Sequence, residues 1–175
     1  AARAIIESGE LGELVMIDDH STGEYFTPDR PAWFMTKKLA GGGVSINFGV
    51  HTLDRFCYLT GSSVASITGA CTYQHPGSDV DGSAHFFLRA QSGVTGSVSI
   101  SGYLSIPEEY TTLYLTKGAI CIRPFVSVCK TTGGEYDPVD FSGYPGMFEA
   151  QMEDFVTAMD TGRVLYYTGA EGKRY

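Results

Sequence analysis

The sequence predicts an α+β domain with a largely antiparallel, open β-sheet and helices packed on one face. Three observations carry this expectation. The hydrophobic period changes from helical to alternating after Gly61. Two tight turns, Gln91-Ser92-Gly93 and Lys117-Gly118, join β-rich runs. A second run of helical period follows the strands at Met147–Met159.

The elements follow in order. Residues 2–7 read as a short helix closed by Gly9, and residues 14–21 as a strand after Gly12. Residues 22–43 read as a long irregular stretch with Pro28, Pro31, the single Trp and three consecutive glycines; loops of this length are often functional. Residues 44–59 predict one helix stopped by Gly61, with Ile46, Val50, Leu53 and Cys57 on its apolar face and Asn47, His51, Asp54 and Arg55 on or near a polar stripe. Strands are expected at 64–74, 83–90, 94–103, 111–116, 119–123 and 126–131, rich in Val, Ile, Thr and aromatics. Residues 134–144 read as loop. The helix at 147–159 shows Phe148, Met152, Phe155, Val156 and Met159 on one face and ends at Thr161-Gly162. A sheet covered on one side leaves its other face to be occupied. Tyr73, Phe87, Tyr103, Tyr114 and the alternating residues 94–100 predict a homo-oligomer through that face.

Composition bounds the function. The 175 residues suffice for one domain with a substantial core, 43% are hydrophobic, and the net charge is −8. Without a basic cluster, nucleic acid is not an expected partner. No apolar run reaches the roughly 20 residues of a membrane span, and no membrane partner is expected. Residues 1–8 lack the apolar core of a signal peptide. Cys57, Cys71, Cys121 and Cys129 form no CxxC pair and read as reduced, buried thiols; the expected location is cytoplasmic.

The informative segment runs from Gly41 to Asp54. Glycines before a helix permit close backbone approach, and the helix start behind them offers N–H groups. Asn47 and His51, four residues apart, stack on one helical face. A neutral imidazole accepts a proton from a bound hydroxyl near neutral pH, and an amide one turn away orients that hydroxyl. The same spacing also suits a helix surface with no chemistry. No G-x-G-x-x-G or G-x-x-x-x-G-K-[ST] motif is present to hold a pyrophosphate. Asp18-Asp19-His20 makes a poor metal set, because neighbours on a strand point to opposite faces. His75 and His85 read as ordinary strand or loop residues.

Residues 41–54 resemble the signature of the Gfo/Idh/MocA oxidoreductase family: a Gly-Gly-Gly turn, an acidic or amide residue, a His four residues on, and an Asp three residues later. Other segments agree in order: Gly9-Glu10-Leu11-Gly12, Arg30-Pro31-Ala32-Trp33-Phe34, Leu59-Thr60-Gly61 and residues 155–162. The resemblance implies the substrate-binding and oligomerisation domain of a dehydrogenase acting on a sugar, cyclitol or nucleotide sugar. It implies His51 as proton acceptor, Asn47 as a substrate-hydroxyl ligand where many members carry Asp, and Asp54 in a supporting role. It also places Tyr25, Arg30 and Trp33 beside the substrate. Trp33 reads equally as an anchor for the loop, and Asp54 as a partner of Arg55. The cofactor implied for the full-length parent is NAD or NADP, held by a Rossmann domain expected before residue 1. None is expected on this chain alone, and no metal. Residues 1–175 therefore read as a single excised domain, with residues 169–175 resembling the approach to a final helix. A non-catalytic sugar-sensing relative and a stand-alone oligomerisation module remain alternatives, Asn47 leaving room for the former.

Overall fold

The computed structural model describes residues 1–103 and 106–164. Residues 169–175, where the approach to a final helix is expected, lie outside the described residues. The chain divides into two units, Ala2–Val139 and Asp140 onward together with Ala1.

In the first unit, eight strands form one sheet: β1 (Leu14–Thr22), β2 (Val64–Thr72), β3 (Ser83–Ala90), β4 (Thr95–Ser101), β5 (Glu108–Leu115), β6 (Gly118–Arg123), β7 (Ser127–Thr131) and β8 (Asp137–Pro138). Their order across the sheet is β2-β3-β4-β1-β5-β6-β7-β8. Every neighbouring pair is antiparallel except β1 and β4, which run parallel. Alternation along the strands separates two faces. Ile17, Leu88, Val98, Ile100, Leu113, Leu115 and Ile120 point into the core. The other face carries Asp18, His20, Phe87, Ser97 and Tyr114.

Helix α1 (Ala2–Ser8) and helix α4 (Gly49–Thr60) pack together, and α4 lies on β1 and β4. The contact is close. A Cβ on Gly96 of β4 would stand 2.7 Å from the Phe56 ring. Gly61, left-handed at φ 61°, ends α4 as its position suggests.

Four expectations need correction. The helix expected over 44–59 is two: α3 (Val44–Asn47) and α4, separated at Phe48. Its apolar face is also rotated. Thr52, Phe56 and Leu59 are buried, whereas Ile46 and Val50 are 54% and 40% exposed. The irregular stretch contains a 3-10 turn at Ala32–Met35 and one helical turn, α2 (Lys37–Ala40). The cysteines are half-buried rather than buried, and none is in a disulfide.

In the second unit, helix α5 (Met147–Thr161) starts with the Glu149 carboxylate accepting the Gly146 N–H at 3.3 Å and ends at left-handed Gly162. Its residues Phe148, Met152, Phe155, Val156 and Met159 are all exposed. No described helix is long and apolar enough to cross a membrane.

Candidate functional site

The Gly-Gly-Gly turn, α3 and the first turn of α4 form one structural feature. Asp81, in the connection from β2 to β3 and only 4% exposed, occupies the concave side of the turn. Its Oδ1 accepts the Gly43 N–H and its Oδ2 the Ser45 N–H, each at 2.7 Å. Its backbone carbonyl accepts the Val44 N–H at 3.1 Å. A Cβ on Gly43 would overlap that carbonyl, which is the physical reason for glycine there. The N–H groups expected to face a ligand are therefore already satisfied by a carboxylate.

Asn47 ends α3 and His51 lies in the first turn of α4. His51 is exposed and Asn47 half-buried. Neither side chain makes a hydrogen bond among the described residues, so both retain their capacity for an external hydroxyl. Asp54 follows at helical spacing, with Oδ1 buried and without a partner. The alternative of an Asp54–Arg55 pair is not what forms. Arg55 bonds instead to Asp19 at 2.8 Å and to Glu109. Asp19, on the central strand β1, also accepts the hydroxyls of Thr52 at 3.1 Å and Thr111 at 2.8 Å. This polar cluster fixes α4 to the sheet through Thr52 and Arg55.

The three residues of the irregular stretch separate. Trp33 is 49% exposed and stacks on Phe34 with ring centroids 3.8 Å apart. The Arg30 guanidinium lies 4.1 Å over the Tyr25 ring and 4.9 Å over Phe34, with a buried Nε that has no partner. Tyr25 is only 1% exposed, enclosed by Phe26, Phe34 and Phe48. Burial pushes its phenol above the ordinary value; Arg30 opposes that shift and Asp81 adds to it. Tyr25 thus supports Arg30 from within the core.

Asp79 was missed along with Asp81. Its Oδ1 accepts the Lys37 N–H at 2.6 Å and its own N–H reaches the Met35 carbonyl at 3.3 Å. The only sequence signal was an acidic pair flanking Val80 just before a strand, which many loops share. His75 is also less ordinary than its position suggests. It stacks on Phe26 at 4.0 Å, with a buried, unpartnered Nδ1. On β1, Asp18 bonds Ser97 on one sheet face while Asp19 joins Arg55 on the other. Among the described residues no three His, Cys, Asp or Glu side chains converge as a metal site.

A family model described as the GFO/IDH/MocA C-terminal domain matches residues 1–121. No curated protein matches the chain. Similar solved structures include aldose-aldose oxidoreductase from Caulobacter crescentus, complexed with glycerol (TM-score 0.86, 21% identity, covering 99% of this chain and 53% of that one). Levoglucosan dehydrogenase in complex with NADH and levoglucosan gives a TM-score of 0.84 at 18% identity, covering 98% and 56%. An oxidoreductase domain protein from Kribbella flavida gives 0.81 at 18%, covering 98% and 57%. At these identities the likeness is one of fold, and the chain spans about half the length of each.

Proposed function

Because the chain belongs to the GFO/IDH/MocA family through its C-terminal domain, we propose that it is the substrate-side domain of an NAD(P)-dependent oxidoreductase acting on a sugar, cyclitol or nucleotide sugar. The observation that carries this reading is the pair Asn47 and His51. Both side chains are unspent on internal bonds, on helices held by Asp81 at the Gly43 and Ser45 amides and by Asp19 at the Thr52 and Arg55 side chains.

In this reading His51 accepts the proton of the substrate hydroxyl as the carbonyl forms, and NAD(P)⁺, held elsewhere in the parent, would take the hydride from the same carbon. Asn47 donates to or accepts from a hydroxyl of the same substrate. Asp54, three residues past His51, helps orient the imidazole. Trp33 offers a flat apolar surface for sugar C–H groups, and Arg30 a donor fork over Tyr25.

NAD or NADP does not fit on this chain's described residues. The glycine turn is the sole candidate cradle among them, and its amides are bonded to a buried carboxylate that would repel a pyrophosphate. The cofactor is therefore assigned to another part of the parent protein. The open sheet face, where Phe87 and Tyr114 project, is assigned to homo-oligomer contact. Sedimentation of Phe87→Glu against the parent tests that part.

The function is tested with the enzyme that contains this domain, given NAD⁺ or NADP⁺ and myo-inositol, D-glucose, levoglucosan or a UDP-hexose. The expected result is nicotinamide reduction with at least one, falling about 10²–10⁴-fold in His51→Ala. Undiminished turnover in that variant would remove His51 from the chemistry. A protein that binds one of these sugars but reduces no cofactor would be a sensor.

A further inference from the structure

We propose that Asp81 is the positioning residue of this site, aligning Asn47 and His51 through the backbone rather than touching substrate. Its kinetic consequence rests on the oxidoreductase reading above; its structural consequence does not.

Helix α3 is a single turn of four residues, and such a turn does not hold itself, because nucleation fixes several dihedrals for one hydrogen bond. Its N-cap is Gly43, which has no side chain to satisfy the first amides. Asp81 supplies that cap from 38 residues away, with both carboxylate oxygens and its backbone carbonyl. Charge-assisted bonds of this length are the stronger kind, and the buried setting excludes competing water.

Two hydrogen-bond chains then lead from Asp81 to the site. In the first, Oδ1 accepts the Gly43 N–H, and the Gly43 carbonyl accepts the Asn47 N–H at 3.0 Å. In the second, the Asp81 carbonyl accepts the Val44 N–H, the Val44 carbonyl accepts the Phe48 N–H at 2.8 Å, and the Phe48 carbonyl accepts the His51 N–H at 3.1 Å. Asn47 thus hangs from the Asp81 carboxylate and His51 from the backbone carbonyl of the same residue. The same connection steadies the preceding segment: Asp79 holds the Lys37 amide, and the Ser78 hydroxyl donates to the Met35 carbonyl at 3.1 Å. The chain from Gly82 is itself tied to β2 through the Thr72 carbonyl at 2.8 Å and to Gly102 at 2.7 Å. Asp81 therefore stands on the sheet and orients the site.

Asp81→Asn tests this. The amide keeps one acceptor but presents an N–H₂ to the other backbone N–H. Amide hydrogen exchange on this chain should accelerate roughly tenfold or more at Gly43, Ser45, Asn47 and His51. Leu88 and Val98 in the sheet core should keep their rates. In the parent enzyme, kcat should fall by about 10²-fold, more than KM rises, as expected when reacting groups are misplaced. Gly43→Ala pushes the Asp81 backbone away from the turn and should show the same pattern. Equal acceleration at Leu88 and Val98, or global unfolding of both variants, would overturn the proposal by making Asp81 a general stability residue. So would loosening of Gly43 and Ser45 with Asn47 and His51 unchanged. A parent that turns over no sugar refutes the oxidoreductase reading, while the exchange pattern still decides the role of Asp81.

Discussion

Replacing Asp19 by Ala removes the acceptor at the centre of the cluster between α4 and the sheet. Three donors lose a partner at once: the Thr52 hydroxyl, the Thr111 hydroxyl and the Arg55 guanidinium. Breaking a buried ion pair by deleting one member costs about 3–5 kcal/mol. Here Asp19 is 4% exposed, but Arg55 is 21% exposed and keeps Glu109, so the lower end applies, about 3 kcal/mol. For a domain of this size that corresponds to a fall in Tm of roughly 6–12 °C. Glu109→Gln, at an exposed partner, should cost about 1 kcal/mol or less. Urea unfolding followed by far-ultraviolet circular dichroism measures both, with comparable m-values confirming an unchanged transition. A loss below about 1 kcal/mol for Asp19→Ala, or equal losses for the two variants, would refute the assignment of Asp19 as the anchor of α4.

Three further outcomes are expected. Gly96→Ala places a methyl 2.7 Å from Phe56 and should cost about 1–3 kcal/mol in the same assay, relieved by Phe56→Leu. Phe125 is a non-glycine residue at φ 63° following Pro124 in the turn closed by Val126 N–H to the Arg123 carbonyl. Being exposed, Phe125→Gly should stabilise by about 0.5–1 kcal/mol. Tyr25 has a raised phenol pKa, so the folded state holds that proton more tightly than the unfolded one. Its stabilising share is complete below the ordinary tyrosine value and is lost as pH rises from there through the folded value, by up to about 1.4 kcal/mol per pH unit. Tyr25→Phe should flatten that part of the alkaline decline in urea midpoint.

What the sequence revealed depended on range. Gly61, the Lys117-Gly118 turn and the alternation of β3 and β4 are local signals, and each appears close to where it was expected. The α4 face was misjudged in part because two apolar stripes compete: Leu53 and Cys57 of the expected stripe do pack against the core, but Ile46 and Val50 give way to Phe48, Phe56 and Leu59. Periodicity identifies a helix with either stripe, and only the sheet decides that Phe56 meets Gly96. The parallel β1–β4 pairing has no local signature at all. Asn47 and His51 were legible because their spacing is four. Asp81 and Asp19 were not, because their partners lie 36–38 and 33–92 residues away in sequence.

That difference in range separates two kinds of residue in the site. The groups with long-range partners, Asp81 and Asp19, are buried, and hydrogen bonds engage both carboxylate oxygens of each. The groups with none, Asn47 and His51, lie in α3 and α4, the two helices those carboxylates hold. Exposed His51 and half-buried Asn47 are within reach of water, so leaving them out of that network costs the fold little. Two adjacent polar side chains left out of it, on backbone held at both ends, are positioned without being used by the fold. In the function proposed for this domain, that leaves the His51 imidazole available to a substrate hydroxyl while the Asp81 and Asp19 bonds hold the helices that carry it.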